Sequence, residues 1–130
     1  MRYGEGYFER AGDTIVSMAM IETERGLANL DDILSVEGID GVFIGPADLA
    51  VALGRAPKPD SDDPVVVDTV RTIRERVHAA GKRVGVFCGA AAFARVKLAE
   101  GFDFVTLTPD LAMLTAAARR ALEEARGGET

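Results

Sequence analysis

The chain has 130 residues, a length that suits one domain, residues 1–130, but not two. It has 15 lysines and arginines against 21 acidic residues, which gives a formal net charge of −6. The acidic balance argues against a nucleic-acid partner, no apolar run approaches the roughly 20 residues of a membrane span, and the first residues lack the apolar core of a signal peptide. A single cysteine, Cys88, excludes an internal disulfide and fits a cytoplasmic protein, and a single histidine, His78, excludes sites built from several histidines.

The first half of the chain contains two strand patterns, one helix pattern and a loop. Residues 14–21 and 41–44 are short runs rich in β-branched and other apolar residues, and they are predicted to be strands. Residues 24–35 are predicted to be a helix, because their leucines and isoleucine fall on one stripe. Residues 54–63 contain two prolines and a charged end, so we expect a loop there.

The second half alternates helices with strands. A helix is predicted over residues 64–80, where apolar residues recur at spacings of three and four, and two more over residues 90–100 and 111–126. Strands are predicted at residues 83–88 and 102–108. Hydrophobic residues run almost without interruption through all four predicted strands, which favours strands that are covered on both faces.

The predicted order is therefore β-α-β-α-β-α-β-α, which is typical of an α/β fold built from parallel βαβ units. Two architectures fit this order: an open doubly wound sheet, or part of a (β/α)₈ TIM barrel. Because a whole barrel needs about 250 residues, this chain would supply about half of one. In both architectures the functional site lies at the carboxyl ends of the strands.

Two acidic residues follow neighbouring predicted strands, Glu22 after the first and Asp48 after the second. Since neighbouring parallel strands lie about 5 Å apart, these two carboxylates can converge on one ion. Two carboxylates with water, but without histidine or thiolate, favour a hard divalent cation such as Mg²⁺ or Mn²⁺.

The turn that leads to Asp48 adds a candidate anion site. Gly45 permits close backbone approach, and Pro46 suits the first turn of a short helix. The backbone N–H groups of Ala47 and Asp48 would then point outward as a site for a substrate carboxylate. A cation beside such a turn suits a 2-oxo acid, chelated through its carboxylate and keto oxygens.

Each candidate site residue can also have a purely structural role, and the spacing of these residues in the sequence, taken alone, favours that role. Thr23 can be the N-cap of the next helix with Glu22 solvated beside it, and Asp48 can simply complement a helix dipole, worth about 0.3–1 kcal/mol. The other candidates are predicted to be structural: His78 as a surface residue at a helix C-terminus, Cys88 as a packed thiol, Met18 and Met20 as core filling, and Gly89 as only a weak indication of a phosphate cup.

Several segments together resemble one family. They are Ile21-Glu22-Thr23, residues 38–49 (GIDGVFIGPADL), residues 2–4, residues 81–82 and residues 101–105. In their order and spacing they resemble the HpcH/HpaI aldolase/citrate lyase family, which includes the 2-oxo-3-deoxy acid aldolases, over nearly the whole chain. The resemblance reverses the preference for structural roles at Glu22 and Asp48.

The resemblance implies a phosphoenolpyruvate/pyruvate-type (β/α)₈ barrel, of which this chain forms the second half, strands five to eight. It also implies a class II pyruvate aldolase that cleaves 4-hydroxy-2-oxo acids to pyruvate and an aldehyde, with Mg²⁺, Mn²⁺ or Co²⁺ polarising the keto group. Glu22 and Asp48 would be the metal ligands. The turn residues would bind the pyruvate moiety: Gly45, Pro46, Ala47 and Asp48.

Two departures from the family bear on activity. Met20 stands where the family usually has a glutamine that contacts substrate, and a thioether cannot donate that hydrogen bond. The family's catalytic histidine, its aspartate partner and its arginine belong to the first four βα units, and His78 does not match that histidine. No catalytic residue is therefore expected within this chain, which alone should have little activity.

A half barrel has two unpaired strand edges and an uncovered inner face, which invite pairing with another chain. We therefore expect a homo-oligomer, or association with a complementing first half. Two other functions stay open: a non-catalytic remnant that binds a metal or an oxo acid, and an acyl-CoA lyase of the citrate-lyase β type. The net negative charge argues weakly against the acyl-CoA lyase, because that enzyme would need a basic surface for coenzyme A.

Overall fold

The structure is a computed structural model that describes Gly4 and residues 6–127. Within those residues it contains seven helices and four strands: α1 (Tyr7–Thr14), β1 (Met18–Ile21), α2 (Glu24–Ala28), α3 (Leu30–Ser35), β2 (Gly41–Ile44), α4 (Pro46–Ala52), α5 (Pro64–Ala79), β3 (Arg83–Phe87), α6 (Ala91–Ala99), β4 (Phe104–Thr106) and α7 (Asp110–Ala125). The similarity noted at residues 2 and 3 lies outside the described residues. None of the helices in this part of the chain has the length and hydropathy of a transmembrane span.

The four strands form one parallel sheet in the order β1-β2-β3-β4, so strands that are neighbours in sequence are neighbours in space. A doubly wound sheet reverses its strand order part-way, whereas a barrel adds its strands in sequence. The sheet is therefore half of a (β/α)₈-type barrel, as the resemblance implied. Its register pairs Ile21 with Ile44 and Ile44 with Val86, which aligns the carboxyl ends of the first three strands.

The outer face of this sheet carries the hydrophobic core. Ile21, Ile44 and Val86 are fully buried there under the helices. Helix α5 covers the sheet with the stripe that its spacing predicted: Val66, Val70, Ile73 and Val77. Deeply buried leucines of α3 and α4 complete the same cluster, so burial of this face drives the packing of the helices.

The inner face of the sheet is open in the described residues, as expected for half of a barrel, so residues 6–127 do not themselves supply the cover on both faces that the apolar runs favoured. Met20 is 57% exposed and Phe104 is 50% exposed, although both lie in strands. In a barrel this face packs against the strands opposite, and no such strands lie within residues 6–127. The continuous apolar runs therefore belong to a face that needs cover from outside the described residues.

Two predicted elements differ most from the structure. Residues 14–17 are not part of the first strand, because Thr14 ends α1 and β1 begins only at Met18. The apolar residues Ile15 and Val16 suggested a strand, but both are exposed. The helix predicted over residues 24–35 breaks at Asn29, whose side-chain amide donates to the Arg25 carbonyl oxygen at 2.7 Å and competes with the backbone.

A cluster of charged groups ties the amino ends of β3 and β4 to the end of α5. The Asp103 carboxylate accepts hydrogen bonds from the Val84 N–H at 3.0 Å and from Arg83 Nη1 at 2.8 Å, and it lies 2.9 Å from His78 Nε2. His78 is a surface residue near a helix end, as predicted, but its partner is this carboxylate rather than the helix dipole alone. Burial raises the pKa of Asp103, but the hydrogen bonds from Val84, His78 and Arg83 outweigh burial and lower that pKa from 3.8 to about 2.

The substitution Asp103→Asn tests this cluster. Because the pKa of Asp103 is lower in the folded chain, its charged form stabilises the fold above pH 4, and this contribution disappears as the pH falls from 3.8 towards about 2. We expect Asp103→Asn to lower the free energy of unfolding by about 1 kcal/mol near neutral pH, allowing for solvent screening of a partly exposed group. Urea denaturation at matched chain concentrations should show this difference closing between those two pH values.

The matched control is Asp62→Asn, because the Asp62 carboxylate is exposed and its ion-pair partner, Lys58, is exposed too. This control should change the stability little at any pH. A difference between the wild type and Asp103→Asn that stays constant down to the lowest pH would contradict the role given to the cluster.

Candidate metal centre

The carboxylates of Glu22 and Asp48 converge at the carboxyl edge of the sheet, over Gly45. A Cβ atom placed on Gly45 would lie 2.9 Å from Glu22 Oε2 and 3.9 Å from Asp48 Oδ2. The two oxygen atoms therefore flank the same small space, and they can be no farther apart than those two distances together. The structure thus brings together the two acidic residues that the sequence singled out.

Strand register and two local turns explain this convergence. Glu22 and Gly45 directly follow the paired residues Ile21 and Ile44, and the Gly45 N–H donates to the Ile21 carbonyl oxygen at 3.4 Å. Thr23 is the N-cap of α2, and its hydroxyl oxygen accepts from the Gly26 N–H at 3.0 Å. The structural interpretation of Thr23 is therefore confirmed, but Glu22 beside it is half-buried rather than fully solvated.

Helix α4 supplies the second acid. Pro46 is its first residue, which its fixed φ favours, and Asp48 lies in its first turn. The short helix expected at Pro46 is thus present. Gly45 has a φ of −98°, which any residue can adopt. The need for glycine at this position therefore comes from the space that Glu22 occupies and not from the backbone conformation.

The two acids line a cavity of about 260 Å³ whose other lining residues are mostly apolar. All the residues predicted for the site line it: Met20, Glu22, Gly45, Pro46, Ala47 and Asp48. Two further lining residues, Phe43 and Phe87, were missed by sequence reasoning. Both lie two positions before a glycine at the end of a strand, so strict alternation along each strand could have identified them.

The electrostatics of the cavity suit a divalent cation. Neither carboxylate takes part in a hydrogen bond or ion pair within the described residues, and none of the residues that line the cavity is a lysine, an arginine or a histidine. Two neighbouring carboxylates repel each other unless a positive charge or a proton comes between them. The described residues offer no cluster of three or more histidine, cysteine or acidic ligands. The pair fits an ion such as Mg²⁺, which commonly binds through one or two carboxylates and keeps several waters.

The remaining candidates have structural surroundings. Cys88 is fully buried, and burial, together with the nearby negative charge of Asp60, raises the pKa of its thiol to about 11, so it is a packed thiol as predicted. The Gly89 N–H donates to Asp60 Oδ1 at 2.7 Å. This bond fixes the loop that follows α4 against β3, and it takes the N–H that a phosphate cup would need.

A larger cavity, of about 570 Å³, lies at the opposite edge of the sheet. It is lined by Val16, Met18, Arg83, Asp103 and Phe104, which stand at or before the amino ends of the strands. Functional sites of parallel barrels lie at the carboxyl ends. The smaller cavity with the two acids is therefore the candidate site. The larger cavity is the part of the open inner face that lies at the amino ends of the strands.

Comparison with known proteins gives consistent matches. The profile of the family described as HpcH/HpaI aldolase/citrate lyase matches residues 1–117. A hydroxypyruvate/pyruvate aldolase of Rhizorhabdus wittichii is 64% identical over 126 residues, which cover 97% of this chain and 50% of the relative. A 2-keto-3-deoxy-L-rhamnonate aldolase of Escherichia coli is 38% identical over 126 residues, covering 96% of this chain and 46% of the relative.

The solved structures agree with the sequence matches. The crystal structure of an HpcH/HpaI aldolase/citrate lyase family protein from Burkholderia cenocepacia J2315 superposes with a TM-score of 0.80 at 32% identity, covering 97% of this chain and 48% of that one. The chain therefore spans about half the length of the relatives that it matches.

Gly45→Ala tests whether the space over Gly45 organises the two carboxylates. The added Cβ would meet the flexible end of the Glu22 side chain, so we expect the chain to fold while the carboxylate moves away from Asp48. The affinity for Mn²⁺, measured by the electron paramagnetic resonance of free ion, should fall about tenfold. Gly12→Ala is the control, because a Cβ there meets nothing within 4 Å. Unchanged Mn²⁺ binding by Gly45→Ala would contradict this geometry.

Proposed function

The chain belongs to the HpcH/HpaI aldolase/citrate lyase family, and on that premise we propose that it forms the cation- and oxo-acid-binding part of a class II pyruvate aldolase. The reaction is the cleavage of a 4-hydroxy-2-oxo acid between C3 and C4, which yields pyruvate and an aldehyde. The observation that carries this proposal is the convergence of the Glu22 and Asp48 carboxylates over Gly45 in one cavity.

Glu22 and Asp48 would hold the cation, which we propose to be Mg²⁺, Mn²⁺ or Co²⁺. When bound, such an ion supplies Lewis-acid stabilisation of the negative charge that develops on the keto oxygen as the carbon–carbon bond breaks. The two residues of this chain contribute the charge and the orientation: Glu22 from the end of β1 and Asp48 from the first turn of α4.

The turn from Gly45 to Asp48 would bind the carboxylate of the oxo acid. The first backbone N–H groups of a helix have no acceptor within the helix, and α4 has no side-chain cap. Because Pro46 has no N–H, the groups of Ala47 and Asp48 are the first that can donate to a ligand. Both residues line the cavity beside Glu22, which supports carboxylate and keto oxygen binding next to each other.

The names of the relatives support the same class of substrate. One is called a hydroxypyruvate/pyruvate aldolase and the other a 2-keto-3-deoxy-L-rhamnonate aldolase, so both names describe aldolases that act on 2-oxo acids. We propose that this chain binds the pyruvate moiety of such a substrate. We also propose a cytoplasmic location, with which the free and buried Cys88 is consistent.

This chain can bind the ion and the oxo acid without catalysing the cleavage reaction. No described residue that lines the cavity is a histidine, a lysine or an arginine, and His78 belongs to the cluster at the amino ends of the strands. The proton transfers of the reaction therefore need groups from outside the described lining. We propose that the 130-residue chain alone binds the ion and the oxo acid but turns over about 10²–10⁴-fold more slowly than a complete site.

Glu22→Gln and Asp48→Asn test the proposed function through binding. Each change removes one negative oxygen ligand while keeping the size of the side chain, so we expect Mn²⁺ affinity to fall about 100-fold or more. Mn²⁺-dependent binding of pyruvate, measured by isothermal titration calorimetry, should disappear with it. Glu24→Gln is the control, because Glu24 carries the same charge two residues away, is exposed, and does not line the cavity.

Three outcomes are informative, two from that titration and one from an activity assay on the same chain. Binding of both ligands with loss in the two variants supports the proposal. Equal binding by Glu22→Gln and the wild type would overturn it. Cleavage of 4-hydroxy-2-oxo acids by the 130-residue chain at ordinary aldolase rates would support the reaction but refute the need for groups from outside the described lining.

The open inner face generates a separate proposal about partners. β1 and β4 are the edges of the sheet within the described residues, and each carries an exposed apolar side chain, Met20 on β1 and Phe104 on β4. We propose that a second copy of the chain, or a complementing first half of a family barrel, covers this face. Size-exclusion chromatography with light scattering should therefore give a mass well above 13.8 kDa. A stable monomer would contradict the pairing of two copies and would leave the complementing first half as the proposed cover.

A further inference from the structure

The direction in which the Glu22 carboxylate points depends on the backbone on either side of it. On one side, Ile21 is fully buried and pairs in register with Ile44. On the other side, Thr23 is the N-cap of α2 and has an extended backbone, with φ −131° and ψ 155°. Glu22 is therefore a single residue between the fixed end of a strand and the start of a helix.

The start of α2 depends on one side-chain hydrogen bond. The Thr23 hydroxyl oxygen accepts from the Gly26 N–H at 3.0 Å, and the Thr23 carbonyl oxygen accepts from the Leu27 N–H at 2.9 Å. Because α2 has only five residues, with a glycine in the middle, helix propensity contributes little to holding it together. The cap bond therefore supplies much of what fixes the first turn.

Gly26 lets this first turn lie close to the end of β1. A Cβ atom placed on Gly26 would lie 3.2 Å from Thr23 Oγ1 and 3.6 Å from Ile21 Cδ1. The cap and the last residue of the strand are therefore both within contact range of the same position in α2. A change in the cap can reach Glu22 directly, because Glu22 lies between these two residues.

We propose that Thr23 is a positioning residue for the candidate metal centre. Its cap bond to the Gly26 N–H fixes the turn that directs the Glu22 carboxylate over Gly45, on the side of Asp48. Thr23 is not among the residues that line the cavity, so its effect on a cation passes through Glu22. This inference rests on the proposed function, because it needs the two carboxylates to bind a cation.

Thr23→Val tests this role on the 130-residue chain. Valine keeps the size and the branched shape of threonine and suits an extended backbone, but it offers the Gly26 N–H no acceptor. Because the turn then loosens and the Glu22 carboxylate spends less time over Gly45, we expect the affinity for Mn²⁺ to fall about tenfold. Thr23→Ser keeps the hydroxyl oxygen and should bind Mn²⁺ as the wild type does. The free ion is measured by electron paramagnetic resonance.

A double-mutant cycle separates positioning from a general loss of stability. If Thr23 acts through Glu22, Thr23→Val should not weaken Mn²⁺ binding further in a chain that already carries Glu22→Gln. A further loss of the same size in that background would overturn the proposal. Wild-type Mn²⁺ affinity in Thr23→Val, or a failure of Thr23→Ser to retain binding, would overturn it too.

Asp63→Ala is the matched control. Asp63 is the N-cap of α5, its Oδ1 accepts from the Val65 N–H at 2.9 Å, and it does not line the cavity. The substitution removes a cap bond of the same kind, so urea denaturation should show a lower stability while the Mn²⁺ affinity stays unchanged. An equal loss of Mn²⁺ affinity in Asp63→Ala and Thr23→Val would overturn the role of Thr23, because any lost cap would then weaken the site.

The failure of this inference can be told apart from the failure of the proposed function. If circular dichroism shows that Thr23→Val does not fold, Thr23→Gly takes its place with the same expected result, because N-cap positions tolerate glycine, which offers no side-chain acceptor. Loss of Mn²⁺ binding in Glu22→Gln but not in either Thr23 variant would show that the role of Thr23 alone is wrong. If the wild type does not bind Mn²⁺, the proposed function itself is wrong, and the inference falls with it.

Discussion

The in-register pairing of β1 with β2 is the constraint on which the candidate site depends. Because Ile21 pairs with Ile44, the residues that follow, Glu22 and Gly45, stand side by side at the carboxyl edge of the sheet. The missing side chain of Gly45 leaves the space that the Glu22 carboxylate enters, and the helix that begins at the next residue carries Asp48. A slip of one residue in the register would turn Glu22 towards the helix-covered face and would separate the two acids.

The acidic side chains at the two ends of the sheet have different surroundings. At the amino ends, Asp103 is surrounded by hydrogen-bond donors from Val84, Arg83 and His78, which hold its pKa low despite burial. At the carboxyl ends, Glu22 and Asp48 share a cavity in which the described residues place no positive side chain. Parallel barrels use the first end for stability and the second for chemistry. The contrast within one sheet supports the proposal that a cation balances the charge of Glu22 and Asp48.

Local patterns were sufficient to predict the elements that pack against the core. The α5 stripe and the bounds of β2 follow directly from hydrophobic spacing and composition. Patterns failed where surroundings decide the conformation. Val16 has strand propensity but lies before the sheet begins, and the Asn29 side chain ends a helix by donating to the backbone carbonyl oxygen of Arg25. Glu22 and Asp48 could be identified because they follow strands. Phe43 and Phe87 were missed because both faces of these strands are apolar, so composition alone does not tell which residues face the cavity; only counting back by two from Gly45 and Gly89 identifies them.

Side chains on the inner face of the sheet pack against one another, although this face is open in the described residues. A Cβ on Gly85 would lie 2.8 Å from Phe43 Cδ2 and 3.0 Å from Phe104 Cδ1, so the absence of a side chain lets the two rings approach. Their centroids lie 6.1 Å apart. Phe43 lines the cavity of the two acids and Phe104 lines the larger cavity at the amino ends, so the pair of rings separates the two spaces. The floor of the site is therefore built by this half of the barrel alone. In the proposed function, binding of an oxo acid uses that floor and the two carboxylates, whereas proton transfer uses groups that face them, so the two functions can be separated.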